Sequence, residues 1–280
     1  MKRIIVADSS SNLYAYDKFP YKYVPLKIYA GTREYVDNED LVVEEMVHDI
    51  ETSKDKLSTS CPNYQEWMEA FEGNDEIVAV TISSKLSGSY NSAVLAANDY
   101  MEEHPGSKVW VLDSRQTGAG MAMLMDEVTS SFEEGCSFEQ MKKRVEDYWN
   151  HLHLCFLLGS VNNLARNGRL NPLLAKIIGA LDIKMLGRAT LDGVIDPFGK
   201  FKGIKKGIKE TFNELLRQGY NGGKVVIDHV LNLQNAETLK GYILEKFPDA
   251  NVIINSCKGL CSFYAERNGL IVGFEGQSKV

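Results

Sequence analysis

The sequence lacks any apolar run near the roughly 18–20 residues that a bilayer-spanning helix needs, so a transmembrane segment is not expected. Its start, Met1-Lys2-Arg3 and then Ile4-Ile5-Val6-Ala7, meets Asp8 too soon for a secretory signal peptide, and a cytoplasmic location is expected. It also lacks a basic excess. Thirty-one Lys and Arg face 38 Asp and Glu, a net charge of −7, which speaks against a nucleic-acid partner. The five cysteines (Cys61, Cys136, Cys155, Cys257, Cys261) are scattered and odd in number, and read as reduced thiols. Cys257-Lys258-Gly259-Leu260-Cys261 is neither a C-x-x-C redox pair nor, without a nearby histidine, a zinc site, so no metal is expected. The G-x-S-x-G elbow, the H-E-x-x-H zinc motif and the G-x-x-x-x-G-K-[ST] phosphate loop are absent. Ser53-Lys54-Asp55-Lys56 fits S-x-x-K but has no K-T-G or S-D-N companion. Gly118-Ala119-Gly120 lacks the third glycine of a dinucleotide fingerprint.

What is present is an ordinary globular composition, 44% apolar and 25% charged over 280 residues, enough for a sizeable core. Near-continuous apolar runs at Arg3–Ala7, Tyr23–Ile28, Glu76–Ile82 and Val109–Leu112 predict strands. Glu39–Glu51, Tyr64–Phe71, Ser89–Tyr100 and Ala119–Phe132 have helical spacing. In the second half, strands are predicted at Cys155–Leu158, Val225–Asp228, Val252–Asn255 and Leu270–Phe274, with helices at Ile204–Arg217 and Ala236–Lys246. Buried strands alternating with helices predict an α/β fold. The expected form is two α/β lobes, 1–150 and 151–280, with mainly parallel sheets and a ligand cleft between them. Gly135 and the polar stretch Glu146–His153 suggest the boundary.

Four hydroxyl-rich clusters follow predicted strands: Asp8–Ser11, Ser58–Pro62, Thr81–Ser89 and Asp113–Gly118. In a parallel sheet the strand C-termini converge on the ligand crevice, where hydroxyls and helix N-terminal amides suit a carboxylate or phosphate. Helix capping is the competing reading of each cluster taken alone. His229, directly after a strand, is the one histidine placed to line a cleft, although a satisfied rim histidine fits as well. Arg169 follows a helix capped by Gly168, where it would meet an anion or an acidic partner. The Phe201–Lys209 run is cationic and opens a helix, which points outward to an anionic partner.

These blocks resemble the DegV family of fatty-acid-binding proteins over nearly the whole chain. The resemblance rests on Asp8-Ser9-Ser10-Ser11-Asn12-Leu13, Thr59-Ser60-Cys61-Pro62 and Ile82-Ser83-Ser84-Lys85-Leu86-Ser87-Gly88-Ser89-Tyr90. Further blocks are Asp113-Ser114 with Gly118 and Gly120, Leu164 through Asn167-Gly168-Arg169-Leu170, and Lys202-Gly203-Ile204-Lys205-Lys206. It implies one long-chain fatty acid between two lobes, its tail in an apolar tunnel and its carboxylate on the hydroxyls of Thr59, Ser60 and Ser87. It also implies a non-catalytic carrier that presents the acid to a separate fatty acid kinase subunit, with no cofactor. Ser84, Arg169, Lys202 and His229 are further candidates for cleft or partner contacts, and Leu173, Ile177, Ile178 and Met185 for the tunnel wall. A monomer with transient membrane contact is expected. Three positions depart from the family's pattern. Cys61 replaces a glutamine, Lys202 an arginine, and Glu266-Arg267-Asn268-Gly269-Leu270 stands where many members carry His-x-Gly-Pro-Gly. The alternative is a hydrolase or phosphotransferase acting on a small anion in the same cleft, with His229 and Asp113 as candidate groups.

Overall fold

The computed structural model of the chain describes residues 1–171, 173 and 183–279. Strands β1 (Arg3–Asp8) and β2 (Tyr21–Val24) open the chain, followed by β3 (Lys27–Ala30), β4 (Arg33–Val36) and helix α1 (Val43–Thr52). Then come β5 (Leu57–Ser60), α2 (Tyr64–Phe71), β6 (Glu76–Thr81), α3 (Ser89–Glu103), β7 (Lys108–Asp113), α4 (Ala119–Glu133) and α5 (Phe138–Trp149). One four-stranded sheet has the order β2-β1-β6-β7 and is parallel throughout. β1 and β6 are buried over almost their whole length, as strands covered on both faces must be. α2 and α5 each begin with a capping box, Asn63 with Glu66 and Ser137 with Gln140, which fixes where they start. The polar stretch Glu146–His153 is the last turn of α5 and the turn into the next strand.

The second half contributes β8 (Leu152–Leu158), α6 (Asn162–Arg166), β9 (Ile183–Ala189), β10 (Ile195–Lys202), α7 (Ile204–Arg217) and β11 (Val225–His229). It ends with α8 (Leu233–Lys246), β12 (Val252–Ser256), α9 (Gly259–Ala265) and β13 (Leu270–Glu275). Its six-stranded sheet runs β10-β9-β8-β13-β11-β12. The α/β architecture is as expected, but the parallel pairing is not general. In this sheet only β11 and β12 are parallel, because β9 and β10 form a hairpin and β13 returns between β8 and β11, antiparallel to both. The expected strand Tyr23–Ile28 is likewise two strands, broken at Pro25-Leu26, and β3 joins β4 and β5 in a small antiparallel sheet.

Side-chain alternation along β8 decides where the cores lie. Leu154, Phe156 and Leu158 join Ile28, Met46 and Phe263, whereas Cys155 and Leu157 join Ile208, Leu215 and Val272 on the opposite face. One face of the second sheet therefore packs toward elements of the first half. Among the described residues no helix is long and apolar enough to cross a membrane.

Candidate functional site

Parallel register brings the C-terminal ends of β1, β6 and β7 to one edge of the first sheet, with Thr81 opposite Asp113. Two of these ends are carboxylates that brace the loop between β6 and α3. Asp8 accepts hydrogen bonds from Ile82 N (2.9 Å) and Ser89 Oγ (2.6 Å). Asp113 accepts from Ser84 N (3.1 Å), Ser84 Oγ (2.5 Å) and Arg115 N (3.0 Å). Ser84 is thereby consumed by the scaffold and does not reach the cavity described below. The Asp8–Ser11 cluster is scaffold too. Ser9–Ser11 are buried, and Ser9 Oγ donates to Asp37 Oδ2 (2.7 Å) while accepting from Leu26 N (3.0 Å). Burial pushes the Asp8 and Asp37 carboxyls above the usual carboxylate range and outweighs the hydrogen bonds that each accepts.

The braced loop edges a cavity of about 280 Å³ between the two large sheets. Its apolar wall comes from the alternate residues Leu154, Phe156 and Leu158 of β8, with Ile271 of β13, Leu164, Ile82, Leu26 and Leu260. Its polar groups are Thr59, Ser60, Cys61, Ser87, Gln116, Thr117, Arg169 and Tyr264, with Arg115 beside them. Thr59, Ser60, Ser87 and Arg169 thus line one cavity. Thr59 Oγ1 shares a 2.7 Å hydrogen bond with Tyr264 Oη, and the Arg169 guanidinium lies 5.9 Å from the Tyr264 ring centre. Arg169 Nε donates to Leu86 O (3.1 Å) and Nη1 to Asn167 O, so the arginine is tied to the backbone just before Ser87. Among the described residues no carboxylate pairs with it. Ser87 Oγ accepts from Ser89 N (3.2 Å), which leaves its own proton to donate, and Gly88 caps the N-terminus of α3, the positive end of that helix's dipole. Cys61 Sγ sits close enough to touch a Cβ at Gly88 (3.3 Å).

Other expected residues lie elsewhere. His229 is buried at the end of β11, which has β12 and β13 on its two sides. Its Nδ1 accepts from Asn232 N (3.1 Å), and burial lowers its pKa. It does not line the cavity, and neither does Asp113, so the pairing suggested for a hydrolase is not assembled there. Lys202 is exposed at the end of β10. Of the expected tunnel residues, Met185 is fully buried in the core rather than on the wall, and Leu173 is 65% exposed. Ile177 and Ile178 lie outside the described residues. Burial raises the pKa of the Cys261 thiol, and no His, Cys, Asp and Glu cluster among the described residues has the makings of a metal site.

Tyr264 is the residue that sequence reasoning missed. Glu266 and Asn268 both have positive φ (54° and 69°), a conformation that glycine adopts freely. Burial raises the Tyr264 phenol pKa, so the hydroxyl stays protonated. Glu266 accepts from Asn163 N (3.0 Å) at the start of α6, the helix that leads to Arg169.

Residues 2–275 match the DegV family, described as uncharacterised proteins. A DegV domain-containing protein of Streptococcus pneumoniae is 36% identical over 252 residues, 90% of each chain. The crystal structure of a DegV family protein from Eubacterium eligens loaded with heptadecanoic acid superposes with a TM-score of 0.96. It is 36% identical and covers 98% of this chain and 100% of its own. The Streptococcus pneumoniae fatty acid kinase (Fak) B3 protein loaded with linoleic acid gives 0.96 at 34% identity, covering 99% and 100%. The chain belongs to the DegV family.

Proposed function

We propose that this protein binds one long-chain fatty acid and carries it to a fatty acid kinase subunit, without catalysing a reaction itself. The observation behind the reading is an apolar cavity lined by hydroxyls and by Arg169 and Arg115, whose guanidinium groups have no carboxylate partner among the described residues. In this reading the 1–150 and 151–280 lobes clasp the ligand, and its carboxylate accepts from the hydroxyls of Thr59, Ser60 and Ser87. Arg169 supplies the opposite charge. With Nε and Nη1 engaged by main-chain carbonyls, Arg169 offers charge more than a free fork, and the carboxylate stays open to phosphorylation. A C16 chain buries about 15 carbons at ~0.8 kcal/mol each, ample gross driving force before association costs are met. The relatives with bound heptadecanoic and linoleic acid have chains of that class.

The kinase would meet the exposed cationic run at Lys202, Lys205, Lys206 and Lys209, and the carrier would act as a cytoplasmic monomer touching membranes only in transit. The test loads the protein with oleate and adds a bacterial fatty acid kinase subunit and ATP. Acyl phosphate should form with the wild type and fail to form with the Thr59→Ala/Ser87→Ala variant. A wild type that holds no oleate in equilibrium dialysis would end the carrier reading. Oleate binding without any acyl phosphate would end the kinase part alone.

A further inference from the structure

The outer part of the β9–β10 hairpin forms one side of the cavity and is attached lightly. Pairing of β9 with β8 ends at Arg188 opposite Cys155, so residues 189–195 pair only within the hairpin. Ala189, Gly193, Val194 and Ile195 line the cavity from this overhang, while Leu191 and Val194 remain 49% and 43% exposed. Ala189 and Ile195 pack against the core at the base of the overhang, and little apolar burial holds the tip between them.

Two residues of the first half hold it instead. Ser83 Oγ donates to Gly193 O (2.7 Å), and Arg115 Nη1 reaches Leu191 O at 3.5 Å. Gly193 has φ +80° and rests directly on these residues. A Cβ there would fall on Ser83 Oγ and lie 2.9 Å from Arg115 Cα. Arg115 is itself fixed. Its backbone N–H donates to Asp113, and its guanidinium stacks 4.7 Å from the Trp149 ring centre, a ring that Lys279 Nζ also approaches at 3.7 Å.

The hairpin also has a hinge. The register shifts between Pro197 and Gly199, a bulge at Phe198 that faces Gly187 and Leu186. Proline gives no ladder hydrogen bond, and Gly199 beside the bulge eases a bend in β10. Opposite the bulge β9 stays anchored, since Gly187 pairs with Phe156 of β8 and Arg188 with Cys155.

We propose that residues 189–195 are the door of the cavity and that Ser83 and Arg115 are positioning residues that latch it. Resting on the fatty-acid reading above, this assigns the rate of ligand uptake and release to the latch, and affinity to the polar groups inside. Opening costs the Ser83–Gly193 hydrogen bond and the long Arg115–Leu191 contact, and the bulge supplies the bend.

The test follows exchange of bound oleate for deuterated oleate by native mass spectrometry, with affinity measured in parallel. Ser83→Ala should exchange about fivefold to tenfold faster, the effect of removing one net hydrogen bond from the closed state. Arg115→Ala should shift the rate in the same direction, and affinity should hold in Ser83→Ala, whose side chain does not line the cavity, because uptake and release accelerate together. Gly193→Ala, whose methyl displaces the tip, should be faster still. If Gly193→Ala does not fold, the other two variants decide. Folded, loaded variants that exchange at the wild-type rate, or that lose affinity with no gain in rate, overturn the latch while the carrier reading stands. A wild type that takes up no oleate overturns both.

Discussion

Replacing Arg169 by methionine keeps an apolar stem on the cavity wall and removes the charge. In the wild type the guanidinium is half-buried beside Tyr264 and Ser87 and meets no protein carboxylate among the described residues. A hydrogen bond to an ionised group is worth about 1.5–3 kcal/mol, and half-exposure favours the lower end. Oleate should therefore bind roughly tenfold to thirtyfold more weakly to Arg169→Met. Oleyl alcohol has the same chain and no charge, so it should lose less than about threefold, the worth of a weaker neutral contact. Calorimetric titration with both ligands at pH 8 separates the two effects. Arg169 also supports Leu86 O and Asn167 O, and a purely structural role would weaken acid and alcohol equally. Equal losses, or an unchanged preference for the acid, would refute the claim that Arg169 answers the ligand's charge.

Three further outcomes are expected. Burial raises Asp228 from 3.8 to about 6, so the folded protein binds this proton more tightly than the unfolded chain does. The resulting stabilisation is full below about pH 4 and is lost as pH rises through about 6, up to roughly 3 kcal/mol, so Asp228→Asn should flatten urea-derived stability across that window. Asp8→Ala orphans the donors Ile82 N and Ser89 Oγ and should cost about 2 kcal/mol in urea unfolding while lowering oleate uptake, because the loop carrying Ser87 loses its brace. Unchanged uptake would detach Asp8 from the site. Leu158→Trp places bulk in the cavity, so oleate stoichiometry should fall with little change in melting temperature. Full loading would mean that the chain lies elsewhere.

The parallel sheet was legible because β1 and β6 are buried on both faces and read as unbroken apolar runs. Tyr64–Phe71 and Ile204–Arg217 form helices with the predicted bounds, since capping at Asn63 and apolar spacing along α7 mark them. β4 and β10 were not legible, because β4 has only four residues and the edge strand Ile195–Lys202 carries Pro197, Gly199 and alternating exposed residues. α5 was missed because its polar composition hides a buried stripe of Phe138, Met141 and Val145. At the site, hydroxyl clusters marked the Ser58–Pro62 and Thr81–Ser89 blocks, and the family resemblance singled out Thr59, Ser60 and Ser87. Cluster position does not separate groups spent on the scaffold, such as Ser84, from groups facing the cavity, and Thr59 and Ser60 lie within β5 rather than after a strand. Tyr264 meets Thr59 across 205 residues of sequence, a contact that only the fold creates. His229 misled because β12 and β13 flank the strand end on which it sits.

The central claim is that the cavity holds a fatty acid by its polar groups. The most direct measurement is native mass spectrometry of protein freshly purified from a bacterial host, followed by denaturing extraction and lipid analysis. The account predicts a one-to-one adduct with the mass of a long-chain fatty acid, missing from the Thr59→Ala/Ser87→Ala variant. An adduct-free protein that also refuses added palmitate and oleate would contradict it.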